Sequence, residues 1–332
     1  MEHWIGIDVS KEHLDVALLD QEGMVLENER IDNERKAIGK LWKSWTRRHG
    51  LQEAGTLCCL EPTGHYHYVL LHWLLDAGVP TWLPNPLDII QSGGLQRGKT
   101  DKVDALRIAR YAYRFRDKAR LVGHDHVRML KLRQLMTKRE LFMRDKAKRT
   151  AQLTDMNRYM DPQLRKIMDA TDKKIERQFQ KAIEQLDKMI EQEIDLTPQT
   201  KQRYDLIRSV YGIGPVLASQ ILALTDDLTR FNTPRRLACQ AGVAPFQRTS
   251  GSSLKGGAHV SPRANKKLKM LLHMAAMRVV REPGELRDYY LRKVAEGKNA
   301  MLVFNNIRNK IIHRVFAVLK RGTPFERHLQ MS

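Results

Sequence analysis

The chain has 332 residues, 42% of them hydrophobic, with 58 Lys and Arg against 38 Asp and Glu and a formal net charge of +20. This apolar content suffices for two or three cored domains and excludes a chain disordered throughout, and the basic excess points to nucleic acid ahead of an acidic protein or an anionic membrane. The three cysteines, Cys58, Cys59 and Cys239, form neither a disulfide framework nor a zinc spacing, the N-terminus lacks a signal-peptide pattern, and no run reaches the roughly 20 apolar residues of a membrane span, so the expectation is a cytoplasmic protein with no membrane partner.

Short runs at 4–9, 13–19 and 24–30 read as three strands, the last two joined by the turn-like Asp20-Gln21-Glu22-Gly23, so consecutive antiparallel pairing is expected. A helical pattern follows at 34–47, an apolar strand at 56–60, a helix at 65–76 and a short strand at 79–83. Pro84-Asn85-Pro86 then leads to a glycine-rich loop at 93–98, and a helix opens near Thr100, a suitable N-cap. The order βββαβαβα predicts a mixed α/β domain of ribonuclease-H-like type over residues 1–122.

Beyond His124 the strand signals stop. A basic stretch at 126–160 and a further stretch after Pro162 read as two long helices, and in the latter Ile175, Phe179, Ala182, Leu186 and Met189 mark a short heptad seam. Residues 123–198 are thus expected to form a basic antiparallel helical hairpin or coiled coil, with Asp195-Leu196-Thr197-Pro198 as a joint. Residues 199–332 read as a mostly helical domain, with helices at about 263–281, 286–296 and 301–320.

In so basic a chain the placement of certain acids calls for a reason. Asp8 ends the run Trp4-Ile5-Gly6-Ile7 and Glu61 follows Leu57-Cys58-Cys59-Leu60, so both sit at strand ends, while Asp101 and Asp104 share one face of a helix start. Four carboxylates in one place repel unless cations sit among them, and hard oxygen ligands suit Mg²⁺ or Mn²⁺ in phosphodiester chemistry. The plainer reading assigns Asp101 and Asp104 to the helix dipole and the other two to strand-end solvation. Asp15 reads as the polar face of a strand and Asp20 as a turn residue.

Two further motifs stand in the last third. Val210 to Leu222, with Gly212-Ile213-Gly214, has the pattern of a helix-hairpin-helix, whose backbone N–H groups can receive a DNA phosphate without reading bases. Thr249-Ser250-Gly251-Ser252-Ser253-Leu254-Lys255-Gly256-Gly257 reads as a flexible polar loop flanked by Arg248, Lys255 and His259. From spacing alone it is a linker, a phosphate cradle using Lys255, or the seat of a serine nucleophile.

In this order and spacing, Ile5-Gly6-Ile7-Asp8, Glu61-Pro62-Thr63-Gly64, Lys99-Thr100-Asp101-Lys102-Val103-Asp104, Gly212-Ile213-Gly214, Ala241-Gly242-Val243-Ala244-Pro245 and Ser250-Gly251-Ser252-Ser253 resemble the DEDD insertion-sequence transposases. That family includes the Piv-type DNA invertases and the bridge-RNA-guided recombinases. The resemblance implies a RuvC-like domain with Asp8, Glu61, Asp101 and Asp104 as ligands of Mg²⁺ or Mn²⁺, a dimerising coiled coil, and a transposase domain with Ser250 as nucleophile. It also implies a structured non-coding guide (bridge) RNA pairing with double-stranded target and donor DNA, and dimers assembling into a tetramer in which the acids of one subunit meet the serine of another. Covalent phosphoserine and Holliday-junction intermediates follow from the same resemblance, in a prokaryotic cytosol. Lys99, Gly212, Gly214, Arg248, Lys255, Lys266 and Lys267 are the expected nucleic-acid contacts. Proline after Glu61 departs from relatives with a small residue there. Hydrolytic junction resolution, with water in place of Ser250, and nucleic-acid binding without catalysis are the two competing readings.

Overall fold

The computed structural model describes residues 1–62, 64–92, 101–227, 231, 233–244, 249–250, 254–255 and 264–326, with only the backbone of 101, 102, 249, 250, 254 and 255. The chain divides into two units, Met1–Val127 and Arg128–Ser332.

The first unit is built on a mixed sheet of β1 (His3–Val9), β2 (His13–Leu19), β3 (Val25–Asp32), β4 (Thr56–Leu60) and β5 (Thr81–Trp82) in the order β3-β2-β1-β4-β5. Short turns join the first three strands and force antiparallel pairing. The crossovers through α1 (Arg35–His49) and α2 (Tyr68–Asp76) are long enough to bring β4 and β5 in parallel to β1 and β4. Three antiparallel strands extended by parallel ones is the ribonuclease-H-like order that the sequence predicts. α3 (Pro86–Ser92) and α4 (Asp101–Arg114) complete this unit.

Strand alternation sorts the sheet into two cores. Ile5, Ile7, Val9, Val16, Leu18, Cys58 and Leu60 face α1 and α2, with Trp42, Trp45 and Leu70 among the packed residues. Trp4, Ala17, Leu19, Leu57 and Cys59 face α4, packing with Ala105, Ile108, Ala109 and Ala112. Adjacent Cys58 and Cys59 therefore serve opposite faces, and burial pushes both thiols up from their ordinary range, which leaves them inert. α3 is absent from the expected elements. There Asn85 accepts from the Leu87 amide at 3.2 Å and Pro86 opens the helix, so proline marks a start rather than a break.

In the second unit, α5 (His124–Tyr159, its first residues in the preceding unit) and α6 (Pro162–Asp195) form the antiparallel hairpin. Arg139 meets Asp187 at 2.5 Å, Lys146 donates to Gln180 at 3.0 Å and Arg149 to Asp172 at 2.7 Å, pairs that run in opposite directions along the two helices. Asp161 caps α6 by accepting from the Gln163 and Leu164 amides. The buried stripe of α6 passes through Asp172, Ile183, Leu186, Ile190 and Ile194. It leaves Met189 38% exposed, so the seam drifts from the expected heptad to the ordinary helical period.

The remaining helices are α7 (Pro198–Ser209), α8 (Pro215–Thr225), α9 (Pro234–Gln240), α10 (Lys266–Arg281), α11 (Glu285–Ala295) and α12 (Ala300–Arg321). Between α9 and α10 lies a small hairpin of β6 (Thr249–Ser250) and β7 (Leu254–Lys255), where a flexible loop is expected from sequence. α12 carries Val303, Ile307, Ile311, Ile312 and Val315 into a core shared with Leu222, Leu237, Leu268 and Leu272. Burying each such side chain stabilises by about 1.5–3 kcal/mol before conformational entropy is subtracted.

Candidate active site

The parallel register of β1 and β4 pairs Ile7 with Leu60, so the next residue of each chain, Asp8 and Glu61, emerges at the same carboxyl edge of the sheet. By alternation Asp8 shares the face of Trp4 and Gly6, and Glu61 continues that of Leu57 and Cys59, which is the face covered by α4. α4 runs antiparallel to β1. Its Tyr113 stacks edge-on against Trp4, with ring centroids 5.0 Å apart, while Ala105 and Ala109 lie over Gly6. The first turn of the helix, from Asp101 to Asp104, is therefore carried toward the Asp8 end of the strand.

Gly6 is what permits this approach. A Cβ there would lie 2.1 Å from the Ala109 nitrogen and 2.3 Å from the Ala105 oxygen, both backbone atoms of α4. Small residues on both sides let helix and strand touch along their main chains, which fixes the height of the helix start over the strand end. The positive end of the α4 dipole favours a carboxylate in its first turn, where Asp104 stands. Asp104 is buried, 8% exposed, and pairs with Arg107 one turn along at 2.9 Å.

One acid of this face has a different role from that expected from sequence. Asp15 lies directly opposite Asp8 in the β1–β2 register and is 3% exposed. Arg30, opposite Asp15 on β3, donates from Nε to Oδ1 at 3.0 Å and to Oδ2 at 3.1 Å, and from Nη2 to Oδ2 at 2.8 Å. Arg30, Asp15 and Asp8 thus form one row across three neighbouring strands, and Glu61 follows the end of the fourth. Asp15 has the parity of Ala17 and Leu19, but Leu14, Val16 and Leu18 make the other face of β2 as apolar, so only the helix laid over the sheet decides that this acid is buried and requires a partner.

Oxygen donors of this kind match a hard divalent cation. Among the described residues no three His, Cys, Asp or Glu side chains converge into a metal-holding group, so Asp8, Glu61 and Asp104 do not complete a donor shell by themselves. The side chain of the fourth expected ligand, Asp101, lies outside the described residues.

Ser250 belongs to the second unit, where its backbone pairs with Leu254 in the β6–β7 hairpin while Thr249 pairs with Lys255. The side chains of Ser250 and Lys255, and the whole of Lys99 and Arg248, lie outside the described residues. Lys266 is exposed, whereas Lys267 is engaged with Glu140 of α5 at 2.5 Å. That contact holds the Glu140 carboxyl below its ordinary range. The expected helix-hairpin-helix is α7, a turn and α8. Gly212 adopts φ +93° in the turn and packs under α10, where a Cβ would stand 2.5 Å from Val279 Cγ1. Gly214 caps α8 with open space around it. An open groove of about 510 Å³ is lined there by Gly212, Gly214, Pro215, Arg278 and Arg281.

A ribonuclease-H-like sheet with acids at its carboxyl edge, followed by a basic helical unit, defines the class. A family model described as a transposase, of the DEDD type of IS110, matches residues 5–159, and one described as the IS116/IS110/IS902 transposase family matches residues 204–291. The chain belongs to this family of DNA-recombining transposases. It is 27% identical over 331 residues to the pilin gene-inverting protein of Moraxella lacunata, covering 98% of each chain. It is also 40% identical over 107 residues to the insertion element IS116 uncharacterized 44.8 kDa protein of Streptomyces clavuligerus, covering 32% of this chain and 27% of that one. Among solved structures, T. thermophilus RuvC in complex with Holliday junction substrate is similar at 17% identity and a TM-score of 0.29, over 37% of this chain and all of that one. No helix of the described residues is long and apolar enough to cross a membrane.

Proposed function

We propose that the protein is an RNA-guided DNA recombinase that excises and inserts its own insertion sequence. The observation that carries this reading is the meeting of Asp8 and Glu61 at one sheet edge toward which backbone contact at Gly6 carries Asp101 and Asp104, in a chain of net charge +20. Asp8, Glu61, Asp101 and Asp104 would hold Mg²⁺ or Mn²⁺, which when bound supplies charge neutralisation at the scissile phosphate.

Ser250 is the nucleophile in this reading. Its Oγ forms a bond to phosphorus, the bond from phosphorus to the departing strand's oxygen breaks, and the serine proton is released as the departing oxygen acquires one. One phosphoester replaces another, so a DNA hydroxyl can later reverse the attack and join strands without a high-energy cofactor. A structured guide RNA would read target and donor DNA by base pairing. The basic helices would hold both nucleic acids by their backbones, with Lys99, Arg248, Lys255 and Lys266 as phosphate contacts and Gly212 and Gly214 as the close-approach turn. Dimers assembling into a tetramer would bring the acids of one subunit to the serine of another, and strand exchange would pass through a Holliday junction.

The test is covalent trapping. Wild-type protein with its co-purified RNA and donor DNA should leave a protein–DNA adduct on denaturing gels that disappears in Ser250→Ala and in Asp8→Ala, with DNA binding retained. Cleavage that persists in Ser250→Ala would transfer the reading to a hydrolytic resolvase. An RNase-insensitive reaction would remove the guide.

A further inference from the structure

The row Arg30–Asp15–Asp8 holds an acid that the four proposed ligands do not include, and that acid is buried. Asp15 shares the face of the ligands and stands across the strand pair from Asp8, where cross-strand Cβ atoms are about 5 Å apart and like charges oppose one another. Left to itself it would be a fifth carboxylate at the site. It is not left to itself, because the Arg30 guanidinium engages both of its oxygens, in a fork-to-fork arrangement that a lysine cannot reproduce. The side chain of Arg30 is 46% exposed while that of Asp15 is 4% exposed, so the cation approaches from the solvent side and the acid is pinned from that side against the sheet.

The geometry points to Asp15 and Arg30 as positioning residues for the metal site: Arg30 withholds the Asp15 carboxylate from the cation and cancels its charge, so that the ligands alone set the affinity and place of the ion beside Asp8. This rests on the reading of Asp8 as a metal ligand. Each member of the pair has the opposite sign, so their removal acts in opposite directions on a bound cation. A purely structural pair would fail in one direction whichever member is removed.

The experiment is Mn²⁺ binding to the full-length chain, followed by the electron paramagnetic resonance signal of free Mn²⁺, together with DNA cleavage and thermal unfolding. Arg30→Gln releases Asp15 as an extra acid and should tighten Mn²⁺ binding about tenfold while cleavage falls. Asp15→Asn leaves an unmatched guanidinium and should weaken binding about tenfold or more, tenfold being the scale of one unit charge about 6 Å from a divalent ion at the dielectric constant of water. The double variant should return close to the wild-type affinity. Arg30→Lys, which keeps the charge and loses the fork, should bind Mn²⁺ as the wild type does but cleave more slowly, and it carries the test should the other variants fold poorly. Shifts of the two single variants in the same direction, or of neither, with Asp8→Asn still abolishing binding, would overturn this inference alone. Binding unaffected by Asp8→Asn would overturn the metal reading beneath it as well.

Discussion

Gly6 and Ala105 are in main-chain contact: a methyl group on the glycine would fall 2.3 Å from the alanine carbonyl oxygen. The placement of Asp101 and Asp104 depends on that contact, since it sets how far the first turn of α4 reaches over the end of β1. Gly6→Ala should therefore push strand and helix apart, at a cost of about 3 kcal/mol, the upper range for overpacking. Urea unfolding measures the loss. DNA cleavage should fall by more than the unfolded fraction explains, because Asp101 and Asp104 move with the helix.

The two glycines of the α7–α8 turn should separate in a stability assay. Gly212→Ala meets both a left-handed backbone and Val279, and should cost about 2 kcal/mol or more. Gly214→Ala has room and an ordinary φ of −86°, so it should cost under about 1 kcal/mol, the difference between glycine and alanine as an N-cap. Equal effects in thermal melts would show that Gly212 is not held in a left-handed backbone against Val279.

The Glu140–Lys267 pair gives the second unit a pH-dependent element. The Lys267 ammonium beside Glu140 holds its carboxyl low in the folded chain, with a smaller contribution from Arg144. A depressed folded pKa means that this stabilisation is fully present above the unfolded value near about 4.3 and is lost as pH falls through the lower folded one. Glu140→Gln should flatten that part of the stability profile between about pH 5 and pH 2. With Glu140 38% exposed, solvent screening limits the difference to under about 1 kcal/mol. Urea midpoints of both proteins across this range check it.

Arg308 of α12 is 4% exposed, and among the described residues its guanidinium finds only a 3.4 Å bond to Asn305 and leaves Nε without a partner. Burial lowers its pKa from the ordinary arginine value. Replacing a buried, poorly matched charge by an apolar side chain of similar length is neutral to stabilising, so Arg308→Met should gain about 1 kcal/mol. A loss of 2 kcal/mol or more in urea unfolding would mean that the charge is matched in the folded protein.

Local chemistry made much of the architecture legible. Short apolar runs marked β1, β2 and β4, and the Asp20–Gly23 turn implied their neighbour, because each signal is written in adjacent residues. α3 was not legible. Proline reads equally as a break and as the first residue of a helix, and only the Asn85 cap decides between them. The drift of the α6 stripe away from Met189 was likewise a matter of which neighbours α6 packs against.

The sequence by itself determined the basic character of the chain, the strand-end acids and the serine motif, each a property of residue type and spacing. Tertiary structure alone decided that Asp8 and Glu61 share one edge, since that requires β1 and β4, separated by the β2–β3 hairpin and α1, to pair in a particular register. It alone decided that Asp15 is not a strand's solvent face but a buried acid held by Arg30. Which side of a strand is dry is set by the helix laid over it, and here that is the helix that Gly6 admits.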